Sequence, residues 1–101
     1  MRKINLENYM IESNNGLLPY DIKSSLIGIL FHPDLKLGAV ELLLRNKLAN
    51  KINDSEVEIL LEETDYLKLK TAIEIIKGYV RNDVEFVERI LNAEEIEVVE
   101  R

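Results

Sequence analysis

Leu69, Ala72, Ile73, Ile76, Tyr79 and Val80 recur at i, i+3, i+4, i+7, i+10 and i+11. That spacing aligns the apolar side chains along one face of a helix and is incompatible with a strand, whose period is two. It predicts a helix over 65–77, with Thr64-Asp65 as its cap signal and Gly78 placed to end it in a left-handed conformation. A chain that must cover one such stripe needs other amphipathic elements, and its 4 Gly and 2 Pro mark where they stop.

Asp21 is placed to accept from the free N–H groups of a following helix. Ile22, Leu26, Ile29 and Leu30 form that helix's first stripe, and Ile27 and Phe31 widen it until little of the surface is polar. An all-round apolar helix is buried in its own domain or against another subunit. His32-Pro33 ends it, because the residue before proline avoids α geometry. Gly38 to Ile52 forms a further helix with Val40, Leu43, Leu44, Leu48 and Ile52 inward, and Leu42 with Ala49 as a partial second stripe. Arg45, Asn46, Lys47 and Lys51 are assigned to its wet side. Asn82 with Glu85 opens a fourth helix bearing Val84, Val87, Ile90 and Leu91.

The remaining segments favour strands. Residues 3–13 alternate weakly, and Asn15-Gly16 supplies the positive φ of a tight hairpin turn. Leu17, Leu18 and Tyr20 return as a short strand that Pro19 confines to an edge. Ser55-x-x-Glu58 matches a capping box, yet the run to Leu61 is short, so a strand over 57–62 is favoured. Ile96, Val98 and Val99 among glutamates give a strand near 96–100 or an acidic tail that orders on binding. The expected fold is α+β, about four short helices on a small, mainly antiparallel sheet, as a single domain over 1–101. Neither repeats nor linker-like stretches divide the 101 residues.

Chemistry is scarce. With no Cys, disulfides, thiol catalysis and Cys-ligated metals are excluded. No apolar run approaches the roughly 20 residues of a membrane span. Met1-Arg2-Lys3 is not followed by an apolar stretch of the signal-peptide kind. A cytoplasmic location without membrane contact is the expectation. His32 is the single histidine and reads as a cap at a helix end. Ser13, Ser24, Ser25 and Ser55 sit in no nucleophile-elbow motif. Tyr66-x-x-x-Lys70 places a phenol beside an ammonium, but the glycine-rich phosphate loop that accompanies such a pair in dehydrogenases is missing. Glu62-Glu63-x-Asp65 and Glu94-Glu95-x-Glu97 lack the alternating ligands and central glycine of a calcium loop. No catalytic residue, metal site or cofactor is expected.

Charge is the informative part of the composition. The net charge of -6 divides into +2 over residues 1–52 and -8 over residues 53–101. Such asymmetry gives either a solvated acidic face or a dipolar surface suited to head-to-tail or basic-partner contacts. Together with 16 Leu and 12 Ile, it favours a non-enzymatic protein–protein interaction module, a small adaptor, assembly factor or regulator that associates with itself. Leu26, Ile27, Leu30, Phe31, Leu42 and Ala49 are the expected partner surface. The alternatives are a nucleic-acid-linked regulator using Arg45, Lys47 and Lys51, or an acidic inhibitor that mimics nucleic acid. Lys70, Lys77 and Arg81 are weaker candidates, because Glu74 shares their side of the helix.

Overall fold

The computed structural model describes residues 1–97. Its strands are β1 (Arg2–Asn5), β2 (Tyr9–Ser13), β3 (Gly16–Tyr20), β4 (Glu58–Leu61) and β5 (Glu94–Glu95). The α-helices are α1 (Ile22–Leu30), α2 (Ala39–Asp54), α3 (Glu63–Ile75) and α4 (Val84–Leu91). The fold class is α+β, as expected, but the strands form two sheets where one was anticipated. β1 lies between β4 and β5 in an antiparallel sheet of order β4-β1-β5, while β2 and β3 form a hairpin of their own. Residues 3–13 are therefore two strands and not one.

Local chemistry explains most boundaries. Asp21 accepts from the Ser24 N–H at 3.0 Å and starts α1. His32 is extended before Pro33, and a 3-10 turn over Pro33–Leu35 follows. Gly38 precedes α2, which runs two residues past its expected end, to Asp54. The Ser55 hydroxyl donates back to the Lys51 carbonyl at 2.8 Å, so Ser55 closes α2 and opens no new helix. That leaves β4 to form, with Ile59 and Leu61 inward and Glu58 and Leu60 outward.

α3 begins at once after β4, which puts Thr64 and Asp65 in its first turn rather than at its cap. Carboxylates there still complement the positive end of the helix dipole. The helix stops at Ile75 because Ile76 is already extended, and Gly78 (φ 95°) turns the chain afterwards. A 3-10 turn over Arg81–Asp83 leads into α4, so Asn82 is inside that turn and does not cap the helix. The hairpin turn is also displaced by one residue. Ser13 pairs with Gly16, Asn14 and Asn15 form the turn, and the positive φ (103°) falls on Gly16. The expected terminal strand is found earlier, as the two-residue β5, and residues 98–100 of that expectation lie outside the described residues.

The core fills the space between the three-stranded sheet and the helices. Ile4 of β1 and Ile59 and Leu61 of β4 face Leu26 and Leu30 of α1, Ile52 of α2, Leu69 of α3 and Phe86 and Ile90 of α4. Burying each such side chain contributes about 1.5–3 kcal/mol. The same strand pairing resolves part of the charge asymmetry. Arg2 and Lys3 on the central strand lie against Glu63 and Glu95, and Glu58 and Glu94, at 3.3–3.9 Å. The basic start of the chain thus neutralises acids drawn from its second half.

The hairpin stands out from this body. Tyr9 and Tyr20 anchor its base, their rings stacked at 4.7 Å, with Tyr20 also 5.7 Å from Phe86. Residues 12–19 are all exposed. The radius of gyration, 14.1 Å, exceeds the roughly 13 Å of a compact chain this long. Among the described residues no helix is long and apolar enough to cross a membrane.

Candidate functional site

The inward face of α2 consists of Arg45, Leu48, Ala49 and Ile52. An arginine occupies a position that periodicity alone would give to an aliphatic residue. Its side chain, 7% exposed, spans from α2 to the end of α1. Nε donates to Glu41 Oε1 at 3.0 Å, and a terminal nitrogen donates to the Leu30 carbonyl at 3.4 Å. That carbonyl is one of the four at a helix C-terminus with no partner in its own helix. A guanidinium satisfies it and also complements the negative end of the α1 dipole. Arg45 is therefore structural, which corrects its assignment to the wet side and to nucleic-acid contact.

With Arg45 inward, α2 is rotated relative to the sequence expectation. Helical spacing puts Val40, Leu43 and Leu44 on the stripe of Leu48 and Ile52, yet they are exposed, Val40 by 75% and Leu43 by 65%. Leu42 is exposed as well, on the other flank. The first turns of α2 thus present a run of aliphatic side chains to water. Lys47 and Lys51 continue the same outer face and are exposed. Together with Lys68 and Asp65 of α3 they line a groove of about 370 Å³ beside Leu44. These three lysines form no ion pair among the described residues.

The other expected partner-surface residues are used inside the chain. Leu26 and Leu30 are fully buried and Ala49 nearly so. Ile27 and Phe31 are half-buried and pack against the core. α1 lies between α2 and α3, so both of its stripes are covered without a second chain. Of the six, Leu42 remains as open surface, and the structure adds Val40, Leu43 and Leu44 to it. The sequence signal for them was Glu41 with Arg45, an i, i+4 pair that fixes which side of α2 the arginine shares with Leu48 and Ile52.

A second apolar surface forms where the chain enters α4. Val80 is 64% exposed and Val84 51%, and Leu91 is exposed two turns on. Tyr79, Val80, Asp83, Val84, Val87 and Glu88 line a groove of about 250 Å³. Its two charged groups are both carboxylates. Asp83 Oδ2 accepts from the Val80 N–H at 2.9 Å, and Asp83 Oδ1 accepts from the Tyr20 hydroxyl at 2.7 Å. Burial, and then this carboxylate, push the Tyr20 phenol far above its ordinary value, so it stays a proton donor.

The residues weighed for chemistry have structural partners. His32 Nδ1 accepts from the Asp34 N–H at 3.1 Å and caps the 3-10 turn. His32 and Ser25 border a groove of about 360 Å³ that also includes Tyr20 and Asp83. The Tyr66 hydroxyl donates to the Ile90 carbonyl at 2.6 Å, and the Arg2 guanidinium lies 4.8 Å over its ring. Glu63 and Glu95 pair with Arg2, and Glu94 with Lys3. Among the described residues no three His, Asp or Glu side chains gather to hold a metal ion.

No protein-family model, no curated protein and no solved structure matches this chain.

Proposed function

We propose that the chain is a non-enzymatic protein–protein interaction module that associates with itself. The observation that carries this reading is the aliphatic face at the start of α2, where Val40, Leu43 and Leu44 lie open to water. Single exposed leucines are ordinary, but a contiguous set on one rigid element favours a protein contact. Each such side chain contributes about 1.5–3 kcal/mol when fully buried, so three of them supply a large share of a micromolar affinity. Sedimentation equilibrium from about 1 to 300 µM tests it. The expected result is a mass that rises with concentration and falls to the monomer value in Leu43→Glu. A wild-type monomer across the whole range would refute the reading.

Lys47, Lys51 and Lys68 around one groove favour a second reading, an anionic partner such as a nucleic acid. Binding of that kind weakens steeply with salt. It predicts a mobility shift with duplex or single-stranded oligonucleotides at low salt, lost in Lys47→Glu with Lys51→Glu. No shift at 20 mM salt would dispose of it.

A further inference from the structure

Two of the exposed apolar surfaces, at the start of α2 and at the start of α4, carry opposite charge. The α2 groove has three lysines, Lys47, Lys51 and Lys68, against one carboxylate, Asp65. The groove at the start of α4 has Asp83 and Glu88 and no cation in its lining. The first surface is a stripe on α2, and the second runs along α4 with the extended Val80 beside its start. Val40, Leu43, Leu44 and Lys47 repeat at i, i+3, i+4 and i+7 on α2, and Val84, Val87 and Leu91 at i, i+3 and i+7 on α4. Two helices joining such stripes bury both by interdigitating their ridges, as helices do inside a domain.

We propose that copies of the chain join head to tail, the lysine-flanked stripe of α2 on one copy seated on the carboxylate-flanked stripe of Val80 and α4 on the next. It rests on the self-association proposed above and specifies its geometry. A like-on-like contact would bring the Lys47, Lys51 and Lys68 cluster against its own copy, or Asp83 and Glu88 against theirs. Like charges brought together in a contact select against it, while the unlike pairing places lysines opposite carboxylates. An interface between two different patches leaves one of each free on every dimer. Such a contact continues into a ring when the rotation between copies closes, and into a filament when it does not.

Two double variants test this, each at exposed positions that leave the core intact. Val40→Asp with Leu43→Asp spoils the α2 stripe, and Val80→Asp with Val84→Asp spoils the α4 stripe. Far-UV circular dichroism confirms that both keep their helices. Light scattering after size exclusion is then read at about 100 µM. Each variant alone is expected to be a monomer, and their equimolar mixture a 1:1 dimer at twice the chain mass, because one intact patch of each kind remains. Adding Lys47→Glu and Lys51→Glu to the partner with the intact α2 stripe weakens that dimer at least tenfold. An unchanged affinity there would remove the charge argument and with it the proposal. If the wild type associates but the mixture stays monomeric, or if either variant dimerises alone, the head-to-tail contact is wrong and self-association stands. If the wild type is itself a monomer, the self-association reading fails, and this inference falls with it.

Discussion

The Tyr66 phenol holds α3 and α4 together, and its removal in two steps separates a hydrogen bond from packing. The side chain is 2% exposed, and its hydroxyl donates to the Ile90 carbonyl at 2.6 Å. Ile90 lies in the last turn of α4, where backbone acceptors have no partner inside the helix. The backbone bonds to that carbonyl are weak ones from the following turn, from the Asn92 N–H, shared with the Glu88 carbonyl, and from the Ala93 N–H at 3.4 Å. Tyr66→Phe keeps the ring and its contact with Arg2 and removes only the donor. A buried acceptor that loses its partner costs about 1–3 kcal/mol, and those residual bonds place the expected loss at about 1–2 kcal/mol. Tyr66→Ala removes the ring as well and costs about 3–5 kcal/mol. For a chain this long, the first change lowers Tm by about 4–16 °C. Urea and thermal unfolding by far-UV circular dichroism measure both, at one protein concentration because association would shift the midpoint. A Tyr66→Phe loss below about 0.3 kcal/mol, or one equal to that of Tyr66→Ala, would refute the assignment of the hydroxyl as the cap of α4.

Alkaline pH and two glycines give further checks. Burial raises the phenols of Tyr9, Tyr20, Tyr66 and Tyr79 above their ordinary value of 10. Above about pH 10 the unfolded chain releases protons that the folded chain retains, so this contribution is fully present below pH 10 and is lost as pH rises. Urea midpoints are expected to fall between pH 9.5 and 11, and to fall less steeply in Tyr20→Phe; a flat or rising profile contradicts this. An added Cβ meets nothing within 4 Å at Gly28 or at Gly16. Gly28→Ala, exposed in the last turn of α1, is expected to stabilise by about 0.5–1 kcal/mol. Gly16→Ala, at φ 103°, is expected to destabilise by about 1–2 kcal/mol. Urea midpoints moving in the same direction for both would show that backbone conformation is not the cause.

The sequence by itself determined the elements whose signals are local. The stripe from Leu69 to Ile76, the Asp21 cap, the His32-Pro33 stop and the punctuation by Gly38 each act within a few residues, and the helices they mark are present. The α+β class followed from the same signals. β4 was legible because the run from Glu58 to Leu61 is too short for a helix between two breaks.

What lay beyond the sequence was decided by partners distant in the chain. β1 left the hairpin because Ile4 finds Ile59 across the sheet, 55 residues away. The burial of Arg45 on α2 goes with a carbonyl at the end of α1 that only the folded chain brings within its reach. Without that acceptor, an arginine reads as surface and Val40, Leu43 and Leu44 read as core. Leu26, Leu30 and Ala49 read as surplus apolar surface for the converse reason, since α2 and α3 both cover α1. Periodicity fixes which residues share a helix face, because the backbone sets that angle locally. Which face turns inward is a property of the whole assembly of helices, and there Arg45 lies inward with Leu48, Ala49 and Ile52 while Val40, Leu43 and Leu44 face water.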